Sequence, residues 1–316
     1  MPRCWCGVSS ACVLTAEDLA SWCQSRLRSR IAETLFASGH LSFVRGVTLA
    51  DGRGVVIKVR PWQDRLRGCV AAQRHLALAG YPCPAPIGSL DQVGEWAVNA
   101  EALVAGGEQR NPDLGAEAYA ALLRQLVTTA PDVDTIPSLL PPPPWSAWDH
   151  AAVATWPELD DRGVNLNLFE GPQWLDDAAL RVRKALAKYE APLRVGHCDW
   201  ESQNIRWNGD IPLVVHDWDS VIAQPEATIV GLASAVWAAQ GEDGGAASVA
   251  QTEDFIGSYE RECGGWSEHD RAAAWSAGLW VRLFNAKKDA TEGGGPQLLR
   301  LREEIDERLY RAGLNA

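Results

Sequence analysis

The sequence lacks the features of several common classes of protein. None of its apolar runs approaches the roughly 20 residues that a membrane-spanning helix needs, and the longest, residues 229–239, predicts a buried helix instead. No basic segment followed by an apolar stretch opens the chain, so we expect no secretory signal, no membrane partner and a cytoplasmic protein. No internal repeat divides the 316 residues.

The eight cysteines form no C-x-x-C pair, which favours reduced thiols over disulfides in a protein without an export signal. Four of them crowd the start of the chain: Cys4, Cys6, Cys12 and Cys23. Their spacing matches no familiar set of zinc ligands, so a zinc site is the less favoured interpretation. We expect residues 1–14 to be a disordered extension before a helix capped by Thr15.

Acidic residues outnumber basic ones mainly in the second half of the chain. Residues 1–150 contain 13 Lys and Arg against 14 Asp and Glu, a net charge of −1, whereas residues 151–316 contain 16 against 27, a net charge of −11. A nucleic-acid-binding surface needs a basic face, so we expect no nucleic-acid partner. The acidity suits the attraction of a cationic small molecule, although it can equally serve solubility.

Lysine is almost absent from the first 150 residues. Lys58 is the only one there, among 12 arginines, and it lies in the apolar segment 55–59. Residues 43–49 and 55–59 predict two strands, joined by a turn at residues 51–54. A lysine in such a strand has two explanations, a charge at the sheet edge that faces water or a cation that binds phosphate.

The most informative stretch of the sequence is residues 195–220. Residues 205–207 and 213–215 predict two short strands, and Asn208-Gly209 between them is a strong β-hairpin signal. A hairpin brings its two ends together. Asn204 and Asp217 are therefore expected to lie close in space although they are far apart in the sequence.

The two ends of this hairpin carry polar motifs. Residues 197–204 read H-C-D-W-E-S-Q-N, and residues 216–219 read H-D-W-D. Together they resemble the catalytic signature of the aminoglycoside phosphotransferase family, relatives of protein kinases, which usually reads H-G-D-x-x-x-x-N and then I-D-W-E or I-D-W-D. The alternative is a chance hairpin with exposed acids. The resemblance also suggests that His197 braces the loop, and it assigns no role to His216.

The resemblance implies phosphoryl transfer from ATP or GTP with Mg²⁺. Asp199 would orient the attacking hydroxyl group and accept its proton. Asn204 and Asp217 would hold Mg²⁺, and Asp219 would bind a second ion or its water. Lys58 would contact the α- and β-phosphates, and this role is favoured over an edge charge because lysine, catalytic loop and metal-binding aspartate follow in the order of the family.

The sequence departs from the family at the partner of this lysine. Kinase-like enzymes pair it with a glutamate on the following helix, here predicted at residues 65–79, but no glutamate occurs between Lys58 and Gly80. We expect either Gln73 or His75 to orient the lysine by a neutral hydrogen bond.

Two further segments are assigned to the nucleotide by resemblance. Residues Glu101 to Leu103 fall at the family's hinge, where main-chain groups would bind adenine. Residues 38–42 would fold over the phosphates, although a single glycine makes an ordinary turn an equal alternative.

The fold implied is the α+β, two-lobed fold of protein kinases. A small lobe with an antiparallel sheet, residues 15–104, would hold the nucleotide, and a larger, mostly helical lobe, residues 105–316, would carry the chemistry and the acceptor. In that lobe Gly231 takes the position of an aspartate that relatives usually carry. Residues 145–177, rich in tryptophan and acids, are either an acceptor pocket or, more often for such residues, core and solvated surface.

The expected function is phosphorylation of a hydroxyl group on a small cationic molecule, such as an aminoglycoside or an amino sugar, with the nucleotide and the acceptor as partners. One alternative keeps the reaction but changes the acceptor to a neutral sugar or a choline-like alcohol. Another is a nucleotide-binding pseudokinase that acts as an interaction module. The sequence does not predict the oligomeric state.

Overall fold

The computed structural model describes residues 14–39, 42–110, 115–151, 153–159, 164–239 and 246–314. In these ranges the helices are α1 (Ala16–Trp22), α2 (Leu66–Leu78), α3 (Glu117–Thr129), α4 (Gln173–Leu186), α5 (Glu226–Val236), α6 (Val249–Cys263), α7 (Glu268–Thr291) and α8 (Pro296–Arg311). The strands are β1 (Ile31–Gly39), β2 (Phe43–Leu49), β3 (Gly54–Pro61), β4 (Pro86–Val93), β5 (Trp96–Ala102), β6 (Leu193–His197), β7 (Ile205–Asn208), β8 (Ile211–Val215) and β9 (Val221–Pro225). None of the described helices is long and apolar enough to cross a membrane. The predicted α+β architecture is confirmed, with a sheet in the first part and mostly helices in the second.

The small lobe is built on a five-stranded antiparallel sheet in the order β1-β2-β3-β5-β4. The predicted cap of α1 is present, because Thr15 Oγ1 accepts the Asp18 N–H at 3.1 Å and Asp18 in turn binds the Thr15 N–H. The prediction that this helix runs to residue 31 is wrong. A π-helical turn ends at Leu27, Arg28 adopts a left-handed conformation, and Ile31 starts β1.

The larger lobe surrounds α5 and α7 and carries two small antiparallel sheets, β6 with β9 and β7 with β8. The buried side chains of α2 belong to the large hydrophobic cluster of this lobe, whereas α1 and β2, β3 and β5 form a separate cluster. The segment after α2 also binds the larger lobe. Tyr81 OH donates to Leu122 O at 3.2 Å, and the Val215 N–H donates to Pro82 O at 2.8 Å. These bonds fix the small lobe above the polar ends of the hairpin.

Helices α5 and α7 cross at a distance that only glycine permits. A Cβ atom at Gly231 would lie 2.0 Å from the main-chain oxygen of Ala274, and one at Gly278 would lie 2.8 Å from that of Gly231. Rotation of a side chain cannot relieve contacts with main-chain oxygen. The approach of α7 therefore explains why position 231 is a glycine, where the resemblance implies an aspartate.

We predict that Gly231→Ala lowers the free energy of unfolding by about 1–3 kcal/mol, because the new methyl group overpacks the helix crossing. Gly257→Ala in α6 is the matched control, since its Cβ would meet only an Arg261 nitrogen at 3.7 Å. That change should stabilise the protein by about 0.4–1 kcal/mol. Urea denaturation measures both values, and a Gly231→Ala protein as stable as the wild type would contradict the packing argument.

Candidate active site

The predicted hairpin is present and joins the two polar motifs. β7 and β8 pair as Ile205 with Val215, and the His216 N–H donates to Asn204 O at 2.8 Å. The turn lies one residue later than the sequence predicts. Asn208 still pairs with Ile211, and Gly209, with φ of 60°, starts the turn. The hairpin therefore brings Asn204 next to the start of the second motif, as predicted.

Asp217 is held in an unusual main-chain conformation. Its φ of 60° and ψ of 50° lie in the left-handed region, which costs a residue other than glycine about 1–3 kcal/mol. Ser220 holds the turn, because its Oγ donates to Asp217 Oδ2 at 2.6 Å and its N–H donates to Asp217 O at 3.0 Å. Strain of this kind is common at functional sites, where neighbouring contacts maintain it.

His197 is fully buried and links the two motifs. Its Nε2 lies 2.9 Å from Asp217 O and 3.2 Å from His216 O, so Nε2 carries the proton that these carbonyl groups accept. Its Nδ1 accepts the Asp199 N–H at 3.2 Å. Burial lowers the pKa of His197, although the charge of Asp217 opposes this. A neutral imidazole with every nitrogen bound braces the loop and is not positioned to exchange protons.

Asp199 is partly exposed and lies beside Asn204. Asn204 Nδ2 donates to both Asp199 Oδ2 and Asp199 O at 3.0 Å. Burial raises the pKa of Asp199 well above its ordinary value, and the charges of Glu201 and Asp217 raise it further. A carboxylate with a raised pKa accepts a proton more readily than an exposed one. The geometry thus suits the role of base that the sequence predicts for Asp199.

Lys58 is buried between the lobes and has an acidic partner after all. Its Nζ lies 3.5 Å from Glu101 Oε2, and the two side chains are only 8% and 2% exposed. Gln73 Nε2 donates to the same oxygen at 2.9 Å, whereas His75 is exposed. Burial would lower the pKa of Lys58, but Glu101, Asp219 and other acids raise it above its usual value. The lysine remains an ammonium ion.

This contact corrects the sequence-based assignment of the lysine's partner. No glutamate of α2 is involved, as the sequence indicates, but the partner comes from β5, and Gln73 acts on Glu101 instead of on Lys58. The sequence assigns Glu101 to the hinge through its main chain, whereas its side chain pairs with Lys58. The missed signal was an acid at the end of an apolar strand.

Arg60 is a second buried cation on the same strand. Its Nη2 lies 2.7 Å from Asp219 Oδ1, and its Nη1 donates to Asn99 Oδ1. Arg65 donates to Asp219 O at 2.7 Å. Burial alone would raise the pKa of Asp219, but Arg60, Lys58 and Arg65 outweigh it and lower that pKa. Asp219 is therefore a bridge between the lobes, a role that its sequence motif did not predict.

The residues present fit a hard divalent cation. Among the described residues, no group of three His, Cys, Asp or Glu could hold a metal by itself. Asn204 and Asp217 offer oxygen donors at the same end of the hairpin, and Asp219 Oδ2 is buried without a hydrogen-bond partner. A few oxygen donors of this kind suit Mg²⁺, which commonly binds one or two protein ligands and completes its coordination shell with phosphate oxygens and water.

The predicted hinge, Glu101 to Leu103, consists of the last two residues of β5 and the residue after it. The Leu103 N–H donates to Gly54 O at 3.1 Å, so this amide is engaged in the small lobe. The assignment of Leu103 to adenine binding stays a prediction. His216, to which the sequence assigned no role, lies within the electrostatic reach of Glu101 and Lys58, and burial lowers its pKa.

Two predictions fall on residues that are not described. The phosphate loop predicted at residues 38–42 includes residues 40 and 41, and the N-terminal cysteines before residue 14 are likewise outside the described residues. In the region 145–177, Trp156 is buried and donates to Asp176 Oδ1 at 2.6 Å, and Asp176 pairs with Lys287 at 2.9 Å. These contacts give Trp156 and Asp176 a structural role, which agrees with the core interpretation for Trp156.

The sequence matches the model of the phosphotransferase enzyme family over residues 34–257. None of the curated proteins compared with the sequence matches it.

Solved structures share the fold. The amicoumacin kinase hAmiN, in complex with AMP-PNP and Ca²⁺, has a TM-score of 0.60 at 11% identity, over 87% of this chain and 88% of that one. Spectinomycin phosphotransferase, in complex with ADP and spectinomycin, has a TM-score of 0.56 at 13% identity, over 95% of this chain and 94% of that one. A choline/ethanolamine kinase family protein from Mesorhizobium loti has a TM-score of 0.53 at 17% identity, over 94% and 93%. All three are kinases or members of kinase families.

We predict that Glu101→Ala impairs nucleotide use, because Lys58 loses the charge that orients it. Charge-assisted hydrogen bonds are worth about 1.5–3 kcal/mol, so the KM for the nucleotide should rise about 10- to 100-fold. Glu95→Ala, an exposed residue just before β5, is the control and should match the wild type. Steady-state kinetics at varied nucleotide concentration measures the KM and kcat of each variant. Unchanged values in Glu101→Ala would exclude Glu101 as the residue that orients Lys58.

Proposed function

Since the chain belongs to the phosphotransferase enzyme family, we propose that it transfers the γ-phosphoryl group of ATP or GTP to a hydroxyl group of a small, cationic molecule in the cytoplasm. The observation that carries this proposal is the convergence of Asp199, Asn204 and Asp217 at one end of the hairpin, opposite the buried Lys58. Each of these groups matches a task in phosphoryl transfer.

In the proposed reaction the protein mainly positions the two substrates and stabilises the charge on the phosphates. Asp199 accepts the proton of the attacking hydroxyl group, and the amide of Asn204 fixes that carboxylate by its bond at 3.0 Å. Lys58, held by Glu101, contacts the α- and β-phosphates. The main chain near Leu103 would bind the adenine or guanine ring of the nucleotide.

Asn204 and Asp217 are the proposed ligands of Mg²⁺, with Asp219 Oδ2 as a weaker candidate for a second ion or its water. The bound ion would neutralise charge on the phosphate oxygens. Ser220 and the strained main chain of Asp217 hold the Asp217 carboxylate in one direction. The ligands are therefore oriented before the nucleotide binds.

The choice of a cationic acceptor rests on charge. Residues 151–316 carry −11 of the net charge of −12, and the charges of Glu201 and Asp217 act on Asp199. The resemblance to antibiotic kinases agrees with this choice and supports a role in antibiotic resistance. A choline-like alcohol is a second candidate acceptor, favoured by the likeness to the choline/ethanolamine kinase family protein.

A pseudokinase is the less supported interpretation. Its main argument was the absent glutamate on α2, but Glu101 supplies that charge from β5. The proposed base Asp199 and the proposed metal ligands Asn204 and Asp217 also support an enzyme.

We predict that Asp217→Asn abolishes metal-dependent transfer, because it removes the charge that holds Mg²⁺ against the phosphates. Loss of a preorganised charge at a phosphoryl-transfer site should lower kcat at least about 100-fold. A second measurement is calorimetry, in which Mg²⁺ should no longer strengthen nucleotide binding. An exposed aspartate of the same hairpin provides the control, Asp210→Asn. Transfer close to the wild-type rate in Asp217→Asn would refute the assignment.

We also predict that salt weakens acceptor binding more than nucleotide binding. Charges on the protein surface are screened beyond about 10 Å at 0.1 M salt, whereas contacts inside the cleft are screened less. The KM for a cationic acceptor should therefore rise with ionic strength more steeply than the KM for the nucleotide. Efficient turnover of neutral sugars, with cationic aminoglycosides ignored, would instead mean that the acidity only maintains solubility.

A further inference from the structure

Glu201 lies two residues after Asp199, and the main chain on both sides of it is fixed. The indole Nε1 of Trp200 donates to a main-chain oxygen of α3 at 3.2 Å. Ser202 Oγ donates to Ala239 O at 2.7 Å, beyond the end of α5. The Glu201 side chain therefore starts from a rigid position next to the proposed base.

The carboxylate of Glu201 is only half engaged. Gln203 Nε2 donates to its Oε2, while Oε1 has no hydrogen-bond or ion-pair partner among the described residues. The residue is partly exposed, so a ligand in the cleft can reach it. A carboxylate that is fixed by its main chain and by Gln203, with one oxygen left over, is equipped to accept hydrogen bonds from a ligand.

Charge is divided unevenly across the site. Three basic side chains of the small lobe, Arg60, Lys58 and Arg65, act on Asp219. The main electrostatic neighbours of Asp199 are instead the carboxyl groups of Glu201 and Asp217. A divalent cation would balance Asp217. Asp199 and Glu201 place two carboxyl groups where the anionic phosphoryl group must arrive, and no described basic side chain pairs with either. Burial raises the pKa of both, that of Glu201 to about 7, so a bound ammonium group would favour their ionised forms.

We propose that Glu201 is a specificity-determining residue that binds an ammonium group of the acceptor close to the hydroxyl group that Asp199 deprotonates. This inference rests on the proposed function and narrows its substrate class. The acceptor would be an amino sugar, an aminocyclitol or an amino alcohol whose amine and reacting hydroxyl group lie on adjacent or nearly adjacent carbons. The carboxylate also selects against neutral acceptors, because they leave it uncompensated beside the phosphoryl group.

The test compares matched acceptors that differ only in charge. The kcat and KM are measured for a panel of amino sugars and aminocyclitols and for their N-acetylated counterparts, with the wild type and with Glu201→Gln. Glutamine keeps the size of the side chain and an oxygen for Gln203. We expect the wild type to prefer the free amines, and we expect Glu201→Gln to raise their KM about 10- to 100-fold with a smaller change in kcat. The acetylated acceptors should lose little or nothing.

Two further variants separate local from general effects. Glu262→Gln removes one charge from an exposed position of α6 and should leave every KM unchanged. Glu201→Asp keeps the charge but withdraws it by one methylene group, and it should give an intermediate KM for the amines. It also remains informative if Glu201→Gln melts early in a thermal scan.

Three results would overturn the inference. The first is an equal rise in KM for free and acetylated acceptors in Glu201→Gln, and the second is a wild type that phosphorylates neutral alcohols only. The third is a nucleotide-loaded wild type that binds no member of the amine panel in calorimetry. The first two results leave phosphoryl transfer, and its dependence on Asp217, intact, so they do not refute the proposed function.

Discussion

Two cations from one strand are buried between the lobes, and the rest of the site depends on how they are neutralised. Lys58 and Arg60 lie two residues apart on β3, so both point to the same face of the sheet, toward the cleft. Their partners come from different places, Glu101 from the neighbouring β5 and Asp219 from the larger lobe. Removal of one partner from a buried ion pair commonly costs about 3–5 kcal/mol. The second pair therefore holds the Asp-Trp-Asp motif against the small lobe.

The pairing of Lys58 is formed within a single sheet. In the register of β3 and β5, Lys58 lies opposite Asn99 and Val56 lies opposite Glu101, so lysine and glutamate are diagonal neighbours. In the kinase pattern the glutamate belongs to the helix, and the ion pair depends on where that helix lies. Here α2 contributes only the neutral Gln73. A shift of α2 would remove a hydrogen bond from Glu101 and leave the ion pair itself in place.

Much of the site could be predicted from local sequence patterns, whereas the contacts between residues on distant segments could not. The hairpin and its motifs are contiguous, so Asn204 and Asp217 could be placed together from the sequence alone. The Lys58–Glu101 pair depends on the register of two strands separated by a helix, which no local pattern encodes. β1 was missed for a related reason, because Ile31 continues the helical spacing of α1 and only the left-handed Arg28 interrupts the helix. The glycine at position 231 likewise depends on the packing of α7, a contact that no local pattern encodes.

The acidity of the chain acts at two ranges, and the two have different consequences. Charges spread over the larger lobe are screened within about 8–10 Å at ordinary salt, so they can raise the local concentration of a cation but cannot choose among cations. Choice requires a charge at a fixed point, as Glu201 provides beside Asp199 through its anchored neighbours. Asp219 would have added to that negative charge, but Arg60 neutralises it and draws it toward the small lobe. The pairing of Arg60 with Asp219 thus confines the unbalanced negative charge to the side of the cleft where the acceptor must bind.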